Sequence, residues 1–146
     1  MAGLSIISDR QGALVAEFQA LPDWEARYAR IIAMAKTLPA LADEHRIEGN
    51  RVRGCSSTVW LWADLVDGNV VYQADSDAVL VRGLVAVLVA VYSGQPPALI
   101  LASPPTFITE LGLNQNLSQN RANGLTAMVK QIMVYALAYQ AKLARG

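Results

Sequence analysis

The stretch from Ala78 to Tyr92, AVLVRGLVAVLVAVY, leaves the rest of the chain few options. It is apolar nearly all round, so as a helix it has no face to offer to water and must be surrounded. A bilayer is the other way to surround it, but the run is too short to span one comfortably, and Arg82 with Gly83 interrupts it. The stretch therefore predicts the central, most buried helix of a soluble protein. The preceding ADSDA offers Asp75 or Ser76 as its N-cap. Gly94 ends it, and Pro96-Pro97 starts a short helical turn through Ala98 to Leu101.

Upstream the period changes from helix to strand. From Ser57 to Val66, Val59, Leu61, Ala63 and Leu65 alternate with Trp60, Trp62, Asp64 and Val66. Asp67-Gly68-Asn69 is a hairpin turn, and Val70 to Ala74 supplies the returning antiparallel strand. Both faces of the first strand are rather apolar, which calls for helices on one side and a partner or further element on the other. Two strands alone are marginal, so a third is expected, from Arg51 to Gly54 or from the loop before it.

The remaining elements read as helices. One runs from about Gln11 to Ala20 on Leu14, Val15 and Phe18, and Leu21-Pro22 breaks it. Asp23 caps a second, with Trp24, Tyr28, Ile31, Ile32 and Ala35 inward and Arg27, Arg30 and Lys36 outward, ending at Pro39. LADEHRIEGN has no period and reads as a surface loop, with His45 exposed in it. Ser103-Pro104-Pro105 opens a short helix that Gly112 closes. Ser118 caps a last helix that continues almost to the C-terminus on Leu125, Met128, Val129, Ile132, Ala136, Tyr139 and Leu143. The class is α+β: a small antiparallel β-sheet packed against several helices, one domain over residues 1–146.

Composition narrows the function. Hydrophobic residues make up 53% of the chain and charged ones 16%, with 12 Lys and Arg against 12 Asp and Glu. Such a chain has a substantial core, no basic field to concentrate nucleic acid and no acidic tail. The N-terminus MAGLSIISDRQ lacks the charged and apolar regions of a secretory signal. One cysteine, Cys55, excludes an internal disulfide and fits a reducing compartment such as the cytoplasm. With one histidine, His45, ten positions away, it makes no metal-binding motif. No glycine-rich phosphate loop is present, since Gly83, Gly94 and Gly112 read as a helix packing site and helix stops.

Cys55 stands in RVRGCSSTVW, and its neighbours argue in two directions. Free cysteines are often small buried hydrophobes. Against that, Gly54 suggests a bend, Ser56 and Ser57 are polar, and Arg51 and Arg53 share a side with Cys55 if the segment is extended. Guanidinium groups lower a thiol pKa and an apolar wall raises it, so the net direction stays open. Asp75 and Asp77 resemble a carboxylate pair, but at a helix start they read as caps. In the last helix Arg121 lies in the first turn, and Gly124 lies on the same face three residues later. A glycine there costs about 1 kcal/mol against alanine, which is explained by close approach of another backbone or by an ordinary frayed turn.

Three blocks together carry a resemblance: GCSSTVWL, ADSDAVLVRGLVAVLVAVYSGQPP and LGLNQNLSQNRANGLTAMV, with WEARYARIIAMAKTLPAL upstream. Through G-C-x-S-x-V-W, SDA…GL and NRxxGL the chain resembles the SufE/CsdE family of sulfur acceptor proteins over nearly its whole length. The resemblance implies an α+β fold similar to that of the IscU scaffolds. It implies that Cys55 accepts persulfide sulfur from a PLP-dependent cysteine desulfurase, stimulates that enzyme and delivers the sulfur for iron–sulfur cluster assembly or to another acceptor. The chain would then be a sulfurtransferase-like carrier accessory to the desulfurase, with no cofactor of its own. Cys55 matches the family's catalytic position. Arg121 matches the arginine of the last block and is expected near the Cys55 loop, and Asp75, Ser76 and Asp77 match a turn expected to border it. Between His45 and Arg53 the match is poor, so a role for Arg51 or Arg53 belongs to this chain alone. A non-catalytic adaptor and a one-cysteine redox protein are the competing readings.

Overall fold

The computed structural model describes residues 2–145. In chain order its elements are α1 (Ala2–Gln19), α2 (Trp24–Met34), β1 (Val59–Val66), β2 (Asn69–Ser76), α3 (Val79–Tyr92), α4 (Pro97–Leu101), α5 (Thr106–Leu111), α6 (Leu113–Asn116) and α7 (Gln119–Ala144). Between α2 and β1 lie single 3₁₀ turns at Ala35–Thr37, Asp43–His45 and Glu48–Asn50.

The apolar stretch forms α3 at the centre, with Leu84, Val85, Leu88, Val91 and Tyr92 all but inaccessible to solvent. Gly83 lets α2 cross it closely: a Cβ at this position would stand 2.3 Å from the Ile31 carbonyl oxygen. The inner face of the hairpin, Val59, Leu61, Ala63, Val70, Tyr72 and Ala74, packs into the same core. The strands pair antiparallel from Val59 opposite Ser76 to Val66 opposite Asn69. Asp67 and Gly68 close the turn at φ of 53° and 81°, the left-handed pair that suits a tight hairpin.

Helix α7 is laced to β1 by hydroxyl groups. Tyr135 donates to the Leu61 carbonyl at 3.0 Å and Tyr139 to the Ala63 carbonyl at 2.9 Å, while Tyr72 reaches the Ile132 carbonyl at 2.8 Å. The first two bonds use β1 carbonyls that another strand would otherwise take. They fix the long helix, and so hold its N-terminal turns beside the loop that precedes β1.

The structure corrects several expectations. Among the described residues the sheet has two strands, and the third is reduced to single bridges, Arg51 with Trp60 and Val70 with Gln95. The Glu48–Asn50 turn on one side and the bend at Gly54 on the other leave Arg51 and Val52 no length to pair further. Helix α1 begins well before Gln11, since nothing in residues 2–10 breaks it and Ile7 is buried. In α2 Met34 joins Ile31 on the inward face, and Ile32 is 38% exposed. Leu143 lies beyond the core that α7 packs on and is 46% exposed. His45 is not a free loop residue: its ring stacks on Trp62 at 3.7 Å between centroids, and the Arg46 guanidinium lies over Trp60. Together they cover the outer face of β1, the further element that its apolar character called for.

Asp75 does not cap α3. Its carboxylate lies 2.6 Å from Arg46 and 3.0 Å from Arg82, pairing charges that flank the hairpin. The actual N-cap residue, Ala78, has no capping side chain, and its N–H donates to the Ser76 hydroxyl at 3.2 Å.

Candidate functional site

Cys55 sits in a short loop pinned at its base. The Val52 N–H donates to the Val59 carbonyl at 2.8 Å, closing the loop at the start of β1. Thr58 is held from the other side by the turn after β2: its N–H donates to the Asp77 carboxylate at 3.2 Å, and its carbonyl accepts from the Ser76 hydroxyl at 2.8 Å and the Asp77 N–H at 3.3 Å. Between these anchors Gly54 takes φ of +95°, a left-handed conformation that side-chain-bearing residues rarely adopt. A Cβ at Gly54 would also stand 3.3 Å from the Ala127 Cβ on α7. The backbone conformation therefore calls for glycine before the cysteine, and the packing favours it.

The Cys55 side chain is half-buried against α7. Its thiol donates to the Gly124 carbonyl across 3.6 Å, and a Cβ on Gly124 would lie 3.4 Å from the sulfur. The glycine in the second turn of α7 thus marks a close approach of the Cys55 loop, not a frayed end. Beside the sulfur is a small void of about 20 Å³ bounded by Ser56, Ser57, Val81, Asn120, Arg121 and Met128. A void needs about 10–15 Å³ to hold one water-sized atom, so this one has room for a single atom and little else.

Burial raises the Cys55 pKa above its ordinary value. In the resting molecule desolvation favours the neutral thiol, the upward of the two directions the sequence left open. Arg121 lines the void, and its N–H donates to the Ser118 hydroxyl at 3.3 Å. No acidic residue lies in the first turn of α7. Arg121 there opposes the helix dipole, an arrangement unfavourable by roughly 0.3–1 kcal/mol at an exposed end.

Of the residues singled out from the sequence, the structure brings Cys55, Arg121, Ser76 and Asp77 to one loop. Asp75 faces Arg46 and Arg82 behind it. Arg51 and Arg53 reach Glu48 at 3.4 and 4.0 Å, and they line a separate hollow on the other side of Cys55. Val81, in the helix read from the sequence as buried all round, and Met128, on the stripe of the last helix, form the apolar wall of the void. Their helical spacing gave no sign of this second role. Arg46 was missed because its partner lies 29 positions away, beyond the reach of any local pattern. Among the described residues no group of three or more His, Cys, Asp or Glu side chains could hold a metal ion. No helix among them is long and apolar enough to cross a membrane.

Comparison with known proteins agrees with this architecture. A family model described as SufE, Fe–S metabolism associated domain, matches residues 12–136. An uncharacterized SufE-like protein of Rhizobium etli is 44% identical over 124 residues, covering 82% of this chain and 84% of the relative. SufE-like protein 1 of Arabidopsis thaliana, designated chloroplastic/mitochondrial, is 41% identical over 130 residues, which is 88% of this chain but 35% of that longer protein. The solution structure of a hypothetical protein from Thermus thermophilus superimposes with a TM-score of 0.76 at 22% identity, covering 90% of this chain and 96% of the other, and shares the fold. The match takes in the cysteine loop, the turn that clamps it and the first turns of α7, and on this ground the chain belongs to the SufE family, associated with Fe–S metabolism.

Proposed function

We propose that the protein is a sulfur carrier: Cys55 takes sulfur from the persulfide of a PLP-dependent cysteine desulfurase, stimulating that enzyme, and passes it on for iron–sulfur cluster assembly. The observation that carries this reading is a lone thiol on a clamped loop, turned toward a void of about one atom's size. The Cys55 thiolate attacks the outer sulfur of the donor persulfide. The donor's S–S bond breaks, its thiolate leaves, and a new S–S bond forms on Cys55. No oxidant or reductant is consumed, because the sulfane sulfur changes owner without changing oxidation state. The acceptor's thiolate repeats the same exchange downstream.

The resting geometry suits storage more than attack. A neutral thiol donates to the Gly124 carbonyl, whereas a thiolate has no proton to give and faces the lone pairs of that oxygen. Ionisation therefore weakens the contact with that carbonyl and favours a position turned away from it, open to an incoming donor. Once loaded, the outer sulfur fits the void, where Val81 and Met128 keep thiol reductants away. No second cysteine exists to attack the persulfide and collapse it to a disulfide. Between cycles the unloaded Cys55 must stay a free thiol, which fits a reducing compartment such as the cytoplasm.

Desulfurase turnover tests the reading. Alanine production from cysteine should rise severalfold on adding the wild-type protein, and Cys55→Ala should abolish the increase. Full stimulation by Cys55→Ala would favour an adaptor that acts by binding alone. Sulfenic acid formation with peroxide, without any effect on the desulfurase, would favour a redox protein.

A further inference from the structure

The side of the Cys55 loop facing away from the void carries a feature that sulfur storage does not use. A groove of about 270 Å³ runs between Gly49–Arg53 and the α7 face bearing Ala127, Lys130 and Val134. It adjoins a hollow of about 210 Å³ that shares Arg51 and Arg53 and ends at Cys55. We propose that this groove is where the sulfur donor docks, presenting its own carboxylates to Arg51, Arg53 and Lys130. The proposal rests on the sulfur-carrier reading and names the chemistry of the donor's contact surface.

Charge is the first argument. The chain as a whole balances 12 cations against 12 carboxylates, yet the groove and hollow together are lined by Arg51, Arg53 and Lys130 against Glu48 alone. Glu48 holds the two arginines loosely, at 3.4 and 4.0 Å, and the Arg53 side chain is 81% exposed. Ion pairs this open to water are worth little, so an incoming carboxylate can displace Glu48 at small cost. Lys130 is exposed and has no acidic partner among the described residues. Guanidinium forks take carboxylates two bonds at a time, which gives a docked segment orientation as well as attraction.

Position is the second argument. A macromolecule seated in the groove has the adjoining hollow in front of it, and that hollow ends at Cys55. The rim adds apolar surface, with Val134 48% and Leu137 60% exposed one turn apart on α7. The matching surface on the donor therefore carries carboxylates beside an aliphatic side chain, close to its persulfide cysteine. A nucleic acid fits less well, because a neutral chain with three grouped cations offers no extended track for phosphates.

The experiment loads Cys55 by two routes, from the cysteine desulfurase of the same cell with free cysteine and from a small-molecule persulfide. The variants are Arg53→Glu/Lys130→Glu and the same pair with Arg51→Glu, checked for folding by circular dichroism. The distant Lys142→Glu controls for net charge. At low salt, desulfurase-driven loading of the groove variants should fall about tenfold or more, and the salt dependence seen in the wild type should vanish. Loading from the small persulfide should stay within about threefold, because diffusion of a small donor needs no docking surface. Equal loss by both routes, or desulfurase loading that keeps the wild-type rate and salt response, overturns the groove proposal and leaves the carrier reading standing. Charge-dependent binding of an RNA oligomer without any effect on desulfurase loading overturns it as well. A wild-type protein that takes sulfur by neither route removes the carrier reading, and the docking proposal with it.

Discussion

At Cys55 two opposing influences meet, and burial prevails in the resting molecule. The sign of the pH effect follows. The fold favours the neutral thiol, so the thiolate appears at higher pH in the native chain than in the unfolded one, where it forms near about 8.5. Alkylation of Cys55 by iodoacetamide should therefore show a midpoint displaced upward from that of the urea-unfolded protein. Stability should fall as pH rises from the ordinary thiol value toward the raised one, because the unfolded chain loses its proton first. A native midpoint at or below the unfolded one would contradict the geometry. Gly124 permits a second test, since a methyl group there meets the sulfur at 3.4 Å, an ordinary contact. Gly124→Ala should stabilise α7 by up to about 1 kcal/mol in chemical denaturation. It should also slow sulfur loading, because the methyl group narrows the space beside the thiol. A gain in stability with unchanged loading would show that the outer sulfur does not use this space.

Among the elements, the hairpin and α7 do most to position the loop, and the turn after β2 fastens it. Ser76 is buried and makes two of the fastening bonds, one to the Thr58 carbonyl and one from the Ala78 N–H. Ser76→Ala should cost about 1–3 kcal/mol in urea denaturation and speed alkylation of Cys55 by loosening the loop base. Lower stability without faster alkylation would separate the clamp from the reactivity of the thiol. At the crossing of α2 and α3, Gly83→Ala should destabilise by about 1–3 kcal/mol or more, since its methyl group would overlap the Ile31 carbonyl. The hairpin, α3 and the capped starts of α2 and α7 were legible because each is written in local periodicity and turn chemistry. The packing partner of Cys55 was not, because Gly124 lies 69 positions away and its spacing says only that something approaches. The third strand was overestimated for a related reason. Sequence cannot reveal that tyrosine hydroxyls from α7 take the carbonyls of Leu61 and Ala63. Asp75 was read as a cap on local grounds, whereas distant arginines claim its carboxylate.

For the molecule as a whole, an all-apolar helix at the centre lets one small sheet and one long helix hold a thiol loop between two different surroundings. One is a void of about 20 Å³ with Val81 and Met128 as its apolar wall, and the other a basic hollow open to solvent. Such a layout suits a group that must be reached by a partner and then sheltered. The family match covers residues 12–136 and therefore this whole assembly, from α1 through most of α7. Membership associates the chain with Fe–S metabolism, and the transfer of sulfur through Cys55 is the claim most in need of a direct test. The measurement is the intact mass of the protein after incubation with a cysteine desulfurase and free cysteine. The account predicts the added mass of one sulfur atom, located on Cys55, removed by a thiol reductant once the protein is unfolded and absent in Cys55→Ala. An unchanged wild-type mass while the desulfurase turns over, or an equal gain on Cys55→Ala, would contradict it.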